Sequence, residues 1–210
     1  LLFATYAVLS QGHGGAHGPA DLFDLTRSAV ETGLLLLSSL TGTAGLAGLS
    51  GCASPSIEDF DSQKPALDLP SYFNGMVDAW GIFTDRNGKV VKRFTVEMNC
   101  QWVDGKGVLD EDFVYSDGTK EKRIWKLTHE GNGAYTGTAG DVVGIARGQT
   151  KGNAFNWRYT LALPVDGTIL HVDMDDWMYL MNDRVMLNKA RMTKLGVHLG
   201  DVTLSFTRRS

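Results

Sequence analysis

The feature that most constrains the fold is an alternation of apolar and polar side chains over residues 90–102. Successive side chains of an extended strand point to opposite faces, so a period of two predicts a β-strand with one buried face. The apolar face, on which Lys92 is the one exception, carries Val90, Phe94, Val96, Met98, Cys100 and Trp102. The other face carries Val91, Arg93, Thr95, Glu97, Asn99 and Gln101. A strand with one wet face is typical of antiparallel sheets.

Clusters of turn-forming residues punctuate the chain after residue 84. They are rich in Gly, Asn and Asp, which tolerate tight turns, and they occupy residues 85–88, 104–107, 116–118, 130–133, 164–167 and 182–183. Strand-like segments continue at residues 124–128, 157–163, 170–179, 185–190 and 202–206. About eight to ten sequential strands predict an antiparallel meander closed into a lipocalin-like barrel, because closure removes exposed sheet edges. The predicted all-β barrel covers residues 69–210, and its interior holds packed side chains or one small ligand.

Composition narrows the functional classes. The chain has 210 residues, is 43% hydrophobic and 21% charged, and carries a formal net charge of -4. These values are typical of a globular protein and exclude low-complexity disorder. Lys and Arg are scattered and the balance is acidic, so we expect no nucleic-acid partner.

An uncharged stretch at residues 32–57 precedes the barrel. Residues 33–51 are typical of the hydrophobic, helical core of a signal peptide. The stretch reaches Leu49-Ser50-Gly51-Cys52, which resembles the bacterial lipobox, and this resemblance implies that the Cys52 thiol carries acyl chains such as palmitate. Residues 52–68 would then form the lipid anchor and tether. A buried Cys at the end of an ordinary hydrophobic helix is the alternative.

The residue that follows Cys52 is Ala53 rather than Asp. In enterobacterial lipoproteins, which this segment resembles, that choice implies the outer membrane. The expected location is therefore the bacterial cell envelope, at the periplasmic face of the outer membrane.

A different resemblance covers residues 3–41. The segments Ala4-Thr5-Tyr6-Ala7-Val8-Leu9 and Asp21-Leu22-Phe23-Asp24-Leu25 are similar to subunit III of the cytochrome o ubiquinol oxidase. The resemblance implies the end of one membrane helix, a loop and the start of the next helix. We interpret residues 1–32 as a fused or mis-joined fragment, and an accessory fragment of a quinol oxidase is one alternative function.

Residues 57–208 resemble a proteobacterial lipoprotein family known as domain of unknown function 3833. The matching strings, which follow one another in order, include Tyr72-Phe73-Asn74-Gly75, Ala79-Trp80-Gly81, Glu111-Asp112-Phe113, Arg123-Ile124-Trp125, Asp141-Val142-Val143-Gly144 and Asp175-Asp176-Trp177-Met178. The resemblance implies the location and the fold of the chain and implies no reaction.

Three carboxylates crowd the segment around residue 175. On a strand, Asp173 and Asp175 share one face and Asp176 points to the other. Neighbouring carboxylates raise one another's pKa and bind cations, which favours a metal or acid–base site. The alternative is a solvated outer face with one inward carboxylate paired to Arg123 or Arg158. No zinc-binding spacing occurs, so we predict no metal and no cofactor.

Aromatic residues supply the candidates for a ligand cavity. The predicted ligand-binding residues are Phe94, Trp102, Trp125, Trp157, Trp177, Arg123, Asp175 and Asp176. Core packing is the alternative for each Trp, and Trp80 belongs to the same set of aromatics. Cys100 is expected to be a buried, inert thiol. Gly144, Gly148 and Gly152 are interpreted as strand bends or bulges.

The predicted function is that of a non-enzymatic, lipid-anchored envelope protein. Its barrel would bind a small hydrophobic or lipid-like molecule, or a partner protein that the sequence does not identify. No Gly-x-Ser-x-Gly motif indicates a hydrolase. An enzyme that uses Asp175, Asp176 and Arg123 is the alternative.

Overall fold

The computed structural model describes residues 55–165 and 167–209. They form an antiparallel meander of ten strands, closed into a barrel because β10 pairs with β1. The strands are β1 (Gly75–Asp85), β2 (Val90–Val103), β3 (Lys106–Tyr115), β4 (Lys120–Gly131), β5 (Ala134–Thr138), β6 (Val142–Lys151), β7 (Ala154–Val165), β8 (Thr168–Leu180), β9 (Val185–Lys194) and β10 (Val197–Arg208). The predicted all-β, lipocalin-like barrel is confirmed.

Strand β2 has the predicted alternation along most of its length. Its buried positions include Phe94, Met98 and Cys100, and Lys92 shares the buried face. The prediction that Val90 lies on this face is wrong, since Val90 is 48% exposed. Phe83 pairs with Lys92 whereas Thr84 pairs with Val90, so one extra residue of β2 forms a β-bulge that changes the facing of the strand end.

The predicted turn clusters all lie at junctions between strands. In the β2–β3 hairpin Asp104 and Gly105 both have positive φ, of 49° and 73°, as tight turns require. Gly144 has a φ of 70° inside a shift of register between β6 and β7, as expected for a bulge. Gly152 instead lies in the β6–β7 turn, with a φ of 50°.

A short helix, α1 (Leu69–Tyr72), leads into the barrel. Leu69, Tyr72 and Phe73 are buried in the core inside the barrel, and the Tyr72 hydroxyl donates a hydrogen bond to the Arg184 carbonyl at 3.0 Å. Pro70 occupies the first turn of the helix, where its missing N–H has no cost. This helix therefore closes the barrel end at which β1 begins.

Before α1, a short 3-10 helix (Ile57–Phe60) packs on the outer wall. The Phe60 ring contacts those of Trp177 and Tyr179, with centroid distances of 5.7 and 5.4 Å. Lys151 of β6 pairs with Glu58 at 3.0 Å. The part of the predicted tether that starts at Ile57 thus lies against the barrel.

The remaining N-terminal predictions concern residues outside the described ranges. They include the oxidase-like segment 1–32, the signal-peptide-like segment 33–51 and Cys52. Within residues 55–165 and 167–209, no helix has both the length and the apolarity needed to cross a membrane.

Candidate functional site

The interior of the barrel contains a cavity of about 80 Å³. Its lining is chemically divided. The apolar part consists of Leu69, Phe73, Val96, Met98, Leu109, Phe113, Trp125, Leu127, Phe155, Trp157, Met178, Leu204 and Phe206. The polar part consists of Glu111, Arg123, Tyr159, Asp176 and Asn188, and we call these five residues the polar lining. A mostly apolar pocket with a few convergent polar groups is the usual form of a small-molecule site.

An ion pair holds the guanidinium of the polar lining in place. Arg123 points inward from β4, and its Nη2 lies 2.5 Å from the Asp141 carboxylate, which precedes β6. Burial opposes the charged form of Arg123, but the carboxylates of Asp141 and Glu111 outweigh it and raise the Arg123 pKa. Arg123 is therefore a permanent cation inside the barrel.

Glu111 lies opposite Arg123 in the pairing of β3 with β4. Its side chain is buried with 9% exposure, and burial raises its pKa to about 7, while the Arg123 charge acts in the opposite direction. Glu111 makes no hydrogen bond within the part of the chain that the structure describes. A carboxyl group of this kind is costly to bury unless another molecule supplies a partner.

Asp176 projects into the cavity from β8 and, unlike Glu111, has hydrogen-bond partners among the described residues. The Asn188 amide of β9 donates a hydrogen bond to its carboxylate, and the Tyr159 hydroxyl of β7 lies 3.5 Å from it. Burial nevertheless raises the Asp176 pKa to about 7. Burial and the Asp176 charge also raise the pKa of Tyr159 well above its usual range, so Tyr159 stays a neutral donor.

The hydrogen-bond ladder of the barrel wall is interrupted beside this polar lining. Strand β5 pairs only with the second half of β4, from Lys126 to Gly131, and β6 begins by pairing with β7. Among the described residues, positions 120–125 of β4 therefore have no ladder partner on the β5 side. The Arg123–Asp141 ion pair crosses this break in the ladder.

The structure brings four of the predicted site residues together. Arg123, Asp176, Trp125 and Trp157 all line the cavity. Phe94 is buried but lies outside the cavity lining, where its ring packs 6.0 Å from that of Phe113. Trp102 is half-buried and contacts Tyr135 at a centroid distance of 6.2 Å. Trp177 lies on the outer wall beneath Phe60.

The carboxylates near residue 175 follow the predicted alternation. Asp175 faces outward, where it accepts hydrogen bonds from Asn156 at 2.7 Å and from Arg158 at 3.3 Å. Asp173 is exposed and bonds to Thr160. Only Asp176 points inward, so Asp175 does not share a site with Asp176 and Arg123. This arrangement resembles the alternative of a solvated face with one inward carboxylate, with Asn188 as the bonded partner of that carboxylate.

Sequence reasoning missed Glu111, Asp141, Tyr159 and Asn188. A usable signal existed for Glu111, because strand alternation places it on one face with Leu109 and Phe113. Asn188 likewise shares the buried face of β9 with Met186 and Ala190. A polar residue on an apolar strand face was the signal that could have identified both.

Metal-binding groups and the Cys100 thiol are the remaining features on which the sequence makes a prediction. No group of His, Cys, Asp and Glu side chains that could hold a metal ion occurs in residues 55–165 and 167–209. Cys100 is 1% exposed, and burial raises its pKa to about 12. Since the thiolate is the reactive form, Cys100 is an inert core residue.

Two solved structures show the same fold. The S-type phycobiliprotein lyase CPES from Guillardia theta matches with a TM-score of 0.50 and 6% identity, covering 66% of this chain and 89% of that one. Rv2717c from M. tuberculosis matches with a TM-score of 0.52 and 14% identity, covering 71% of this chain and 100% of that one. Identities this low establish the fold and no more.

At the level of sequence, a search of curated proteins finds no match. The family model described as "Protein of unknown function (DUF3833)" matches residues 46–208. The chain therefore belongs to this family.

Proposed function

We propose that this member of the DUF3833 family binds a small hydrophobic or lipid-like molecule with one polar end inside its barrel. The apolar body of the ligand would lie against Trp125, Phe155 and Trp157. Its polar end would meet Glu111, Arg123 and Asp176.

One observation carries the proposal: the cavity combines an apolar wall with a buried carboxyl group, that of Glu111, which has no hydrogen-bond partner among residues 55–165 and 167–209. Protein cores are normally close-packed, and their buried polar groups are normally paired. Beside Glu111 the two departures coincide, because this carboxyl group lines the cavity and has no hydrogen bond to a described residue. A bound ligand would fill the space and supply the missing hydrogen bond.

The size of the cavity limits the ligand. About 80 Å³ suits a short chain or a single ring rather than a whole lipid. Phe73, next to α1, and Met178 of β8 line the cavity, and a longer chain would have to displace side chains such as these. The break in the ladder beside Arg123 is the entrance that we propose.

The structural neighbours support binding as a use of this fold. One of them is, by its name, a phycobiliprotein lyase, so the barrel architecture serves a protein that works on another molecule. The support is architectural, because 6% identity transfers no residue.

Filling the cavity tests the proposal. Met178 lines the cavity, whereas Met181, just beyond the end of β8, is 53% exposed. Met178→Trp should occupy the space and abolish binding of hexanol measured by calorimetry, while Met181→Trp should bind hexanol like the unaltered chain. Equal binding by both variants would contradict an internal site.

We also propose that the protein is attached to the periplasmic face of the outer membrane through acyl chains on Cys52. The support is the apolar stretch at residues 33–51 that precedes Leu49-Ser50-Gly51-Cys52 and its lipobox-like end. Each buried methylene adds roughly 0.8 kcal/mol of membrane affinity, so several chains would give a lasting anchor. Metabolic labelling with a palmitate analogue should mark the unaltered chain and not Cys52→Ala. Equal labelling of both would refute the anchor.

A further inference from the structure

The cavity and its rim carry more acidic than basic side chains. Glu111, Asp141 and Asp176 supply carboxyl groups, and Arg123 supplies the one guanidinium among the described residues that line the cavity. Arg123 is already paired with Asp141 at 2.5 Å. Glu111 and Asp176 therefore remain without an ion-pair partner in the described part of the chain.

Glu111 carries the stronger indication. It is nine-tenths buried, it lines the cavity, and no described residue hydrogen-bonds to it. Asp176 differs, because the Asn188 amide already donates to its carboxylate. A group that entered the cavity as a hydrogen-bond donor would satisfy Glu111 and could contact Asp176 as well.

We infer that the ligand carries a cationic nitrogen, as in a primary alkylamine, and that this nitrogen binds between Glu111 and Asp176. The inference rests on the proposed function and specifies its ligand class. An ammonium group has three donors and no acceptor, which suits two carboxylates. The rings of Trp125 and Tyr159, whose centroids lie 5.3 Å apart in the cavity lining, are also groups that attract a cation.

The same lining disfavours an anionic ligand. A carboxylate in this position would face the Glu111 and Asp176 carboxyl groups, and the Arg123 charge is already offset by Asp141. Like charges at close range in a buried site repel strongly. A neutral alcohol could donate one hydrogen bond but would offset no charge.

The inference predicts a direction for the effect of pH. Among the described residues, the titratable and charged groups that interact with Glu111 or Asp176 are Cys100, Tyr115, Arg123, Asp141, Tyr159 and Asp175, and the Asn188 amide donates to Asp176. Burial raises the pKa of both carboxyl groups to about 7. An alkylamine, like a Lys side chain, keeps its proton up to about pH 10.4. Amine affinity should therefore rise as the pH increases through 7, because the carboxyl groups become charged.

Calorimetry with three probes that share a six-carbon chain tests the inference on the full chain. Hexylamine should bind at least about tenfold more tightly than hexanol at about pH 8.5, which corresponds to one further charge-assisted hydrogen bond. Hexanoate should bind most weakly. The preference for hexylamine should shrink at about pH 5.5, where the raised pKa values leave both carboxyl groups protonated.

Glu111→Gln identifies the residue responsible. It should remove most of the preference for hexylamine over hexanol, because it removes the negative charge while the Gln amide oxygen can still accept a hydrogen bond. Asp112→Asn is the matched control, since Asp112 is the next residue on β3 and is exposed. It should keep the preference. If Glu111→Gln does not fold, Asp176→Asn provides the same comparison.

The outcomes separate the inference from the function on which it rests. If none of the three probes binds, the proposed function is contradicted. If hexanol or hexanoate binds as tightly as hexylamine, the barrel is a binding protein and the cationic ligand class is wrong. An unchanged preference in both Glu111→Gln and Asp176→Asn would also overturn the inference.

Discussion

Two regions inside the same barrel differ in how their side chains are packed. The closed layer, formed by Gly81, Phe94 and Tyr115 on β1, β2 and β3, is filled by aromatic rings. Phe94 lies directly over Gly81, so closely that a methyl group on Gly81 would be 2.4 Å from the Phe94 ring. The polar lining, by contrast, borders the cavity, and its Glu111 has no hydrogen-bond partner in the described part of the chain. We therefore expect the closed layer to stabilise the fold and the polar lining to contact the ligand.

Burial alone therefore does not distinguish a packed core residue from a residue that lines the cavity. Phe94 is 4% exposed and Trp157 is also 4% exposed, yet only Trp157 lines the cavity. What separates them is which space the ring borders: Trp157 borders the inner cavity, whereas Phe94 packs on Gly81 and Tyr115 beside an open groove in the wall. Substitutions should therefore have different consequences in the two regions.

The largest effect expected of a single substitution is in the closed layer. Phe94→Ala should lower the free energy of unfolding by roughly 3 to 5 kcal/mol, because it removes a packed ring and leaves a new hole. Thr95→Ala, on the exposed face of the same strand, should change it by less than about 0.5 kcal/mol. Denaturant unfolding of both variants measures the comparison. A larger loss for Thr95→Ala would overturn the inside-out assignment of β2.

The polar lining should make stability depend on pH. Burial raises the pKa of Glu111 and Asp176 to about 7, whereas both ionise near pH 4 in the unfolded chain. The folded state therefore holds protons that the unfolded state has released, and stability is lost as the pH rises from about 4 to about 7. Above that window this contribution is constant.

The expected loss is on the order of 4 kcal/mol for each of the two carboxyl groups, since each pKa rises by about three units and one unit corresponds to about 1.4 kcal/mol. Urea unfolding at several pH values measures it. The double variant Glu111→Gln, Asp176→Asn should have a flatter profile, and Asp112→Asn should follow the unaltered chain. A double variant with the original slope would mean that these two carboxyl groups do not titrate as described.

A smaller loss of stability is expected from a substitution at Gly81, which lies against the Phe94 ring. Gly81→Ala should destabilise the fold by about 1 to 3 kcal/mol, because the added methyl group overlaps the Phe94 ring. Gly140 has open space around it, so Gly140→Ala should cost little or nothing. Thermal unfolding compares the two. If Phe94→Leu fails to relieve the effect of Gly81→Ala, the contact between these residues is not its cause.

The sequence was sufficient to predict the barrel because the fold depends on local patterns. The alternation of β2 and the turn clusters identify strands and hairpins without any knowledge of neighbours. The bulge at the start of β2, which exposes Val90, depends on pairing with β1 and could not be predicted from β2 alone. Pairing across the barrel is a long-range property of the chain.

The site was predicted only in part for the same reason. The crowded carboxylates indicate Asp176 and the need for an ion-pair partner indicates Arg123, and the structure places both at the cavity. Asp141 lies outside any strand pattern, and only the pairing of β4, β5 and β6 in the sheet brings it to 2.5 Å from Arg123. Packing decides which aromatic residues line the inner cavity. Trp157 lines it and Phe94 does not.

The tryptophans allow the most direct test of the central claim, that the ligand binds inside the barrel. Trp125 and Trp157 line the cavity, Trp80 is 51% exposed on the outer wall, and Trp177 lies beneath Phe60. The measurement is a titration of the ¹⁵N-labelled full chain with hexylamine, followed by the indole N–H resonances in NMR spectra. If the ligand binds inside the barrel, the Trp125 and Trp157 resonances should move together and saturate while those of Trp80 and Trp177 stay in place. Saturating shifts at Trp80 with no change at Trp125 and Trp157 would contradict the claim, because the ligand would then bind to the outer wall.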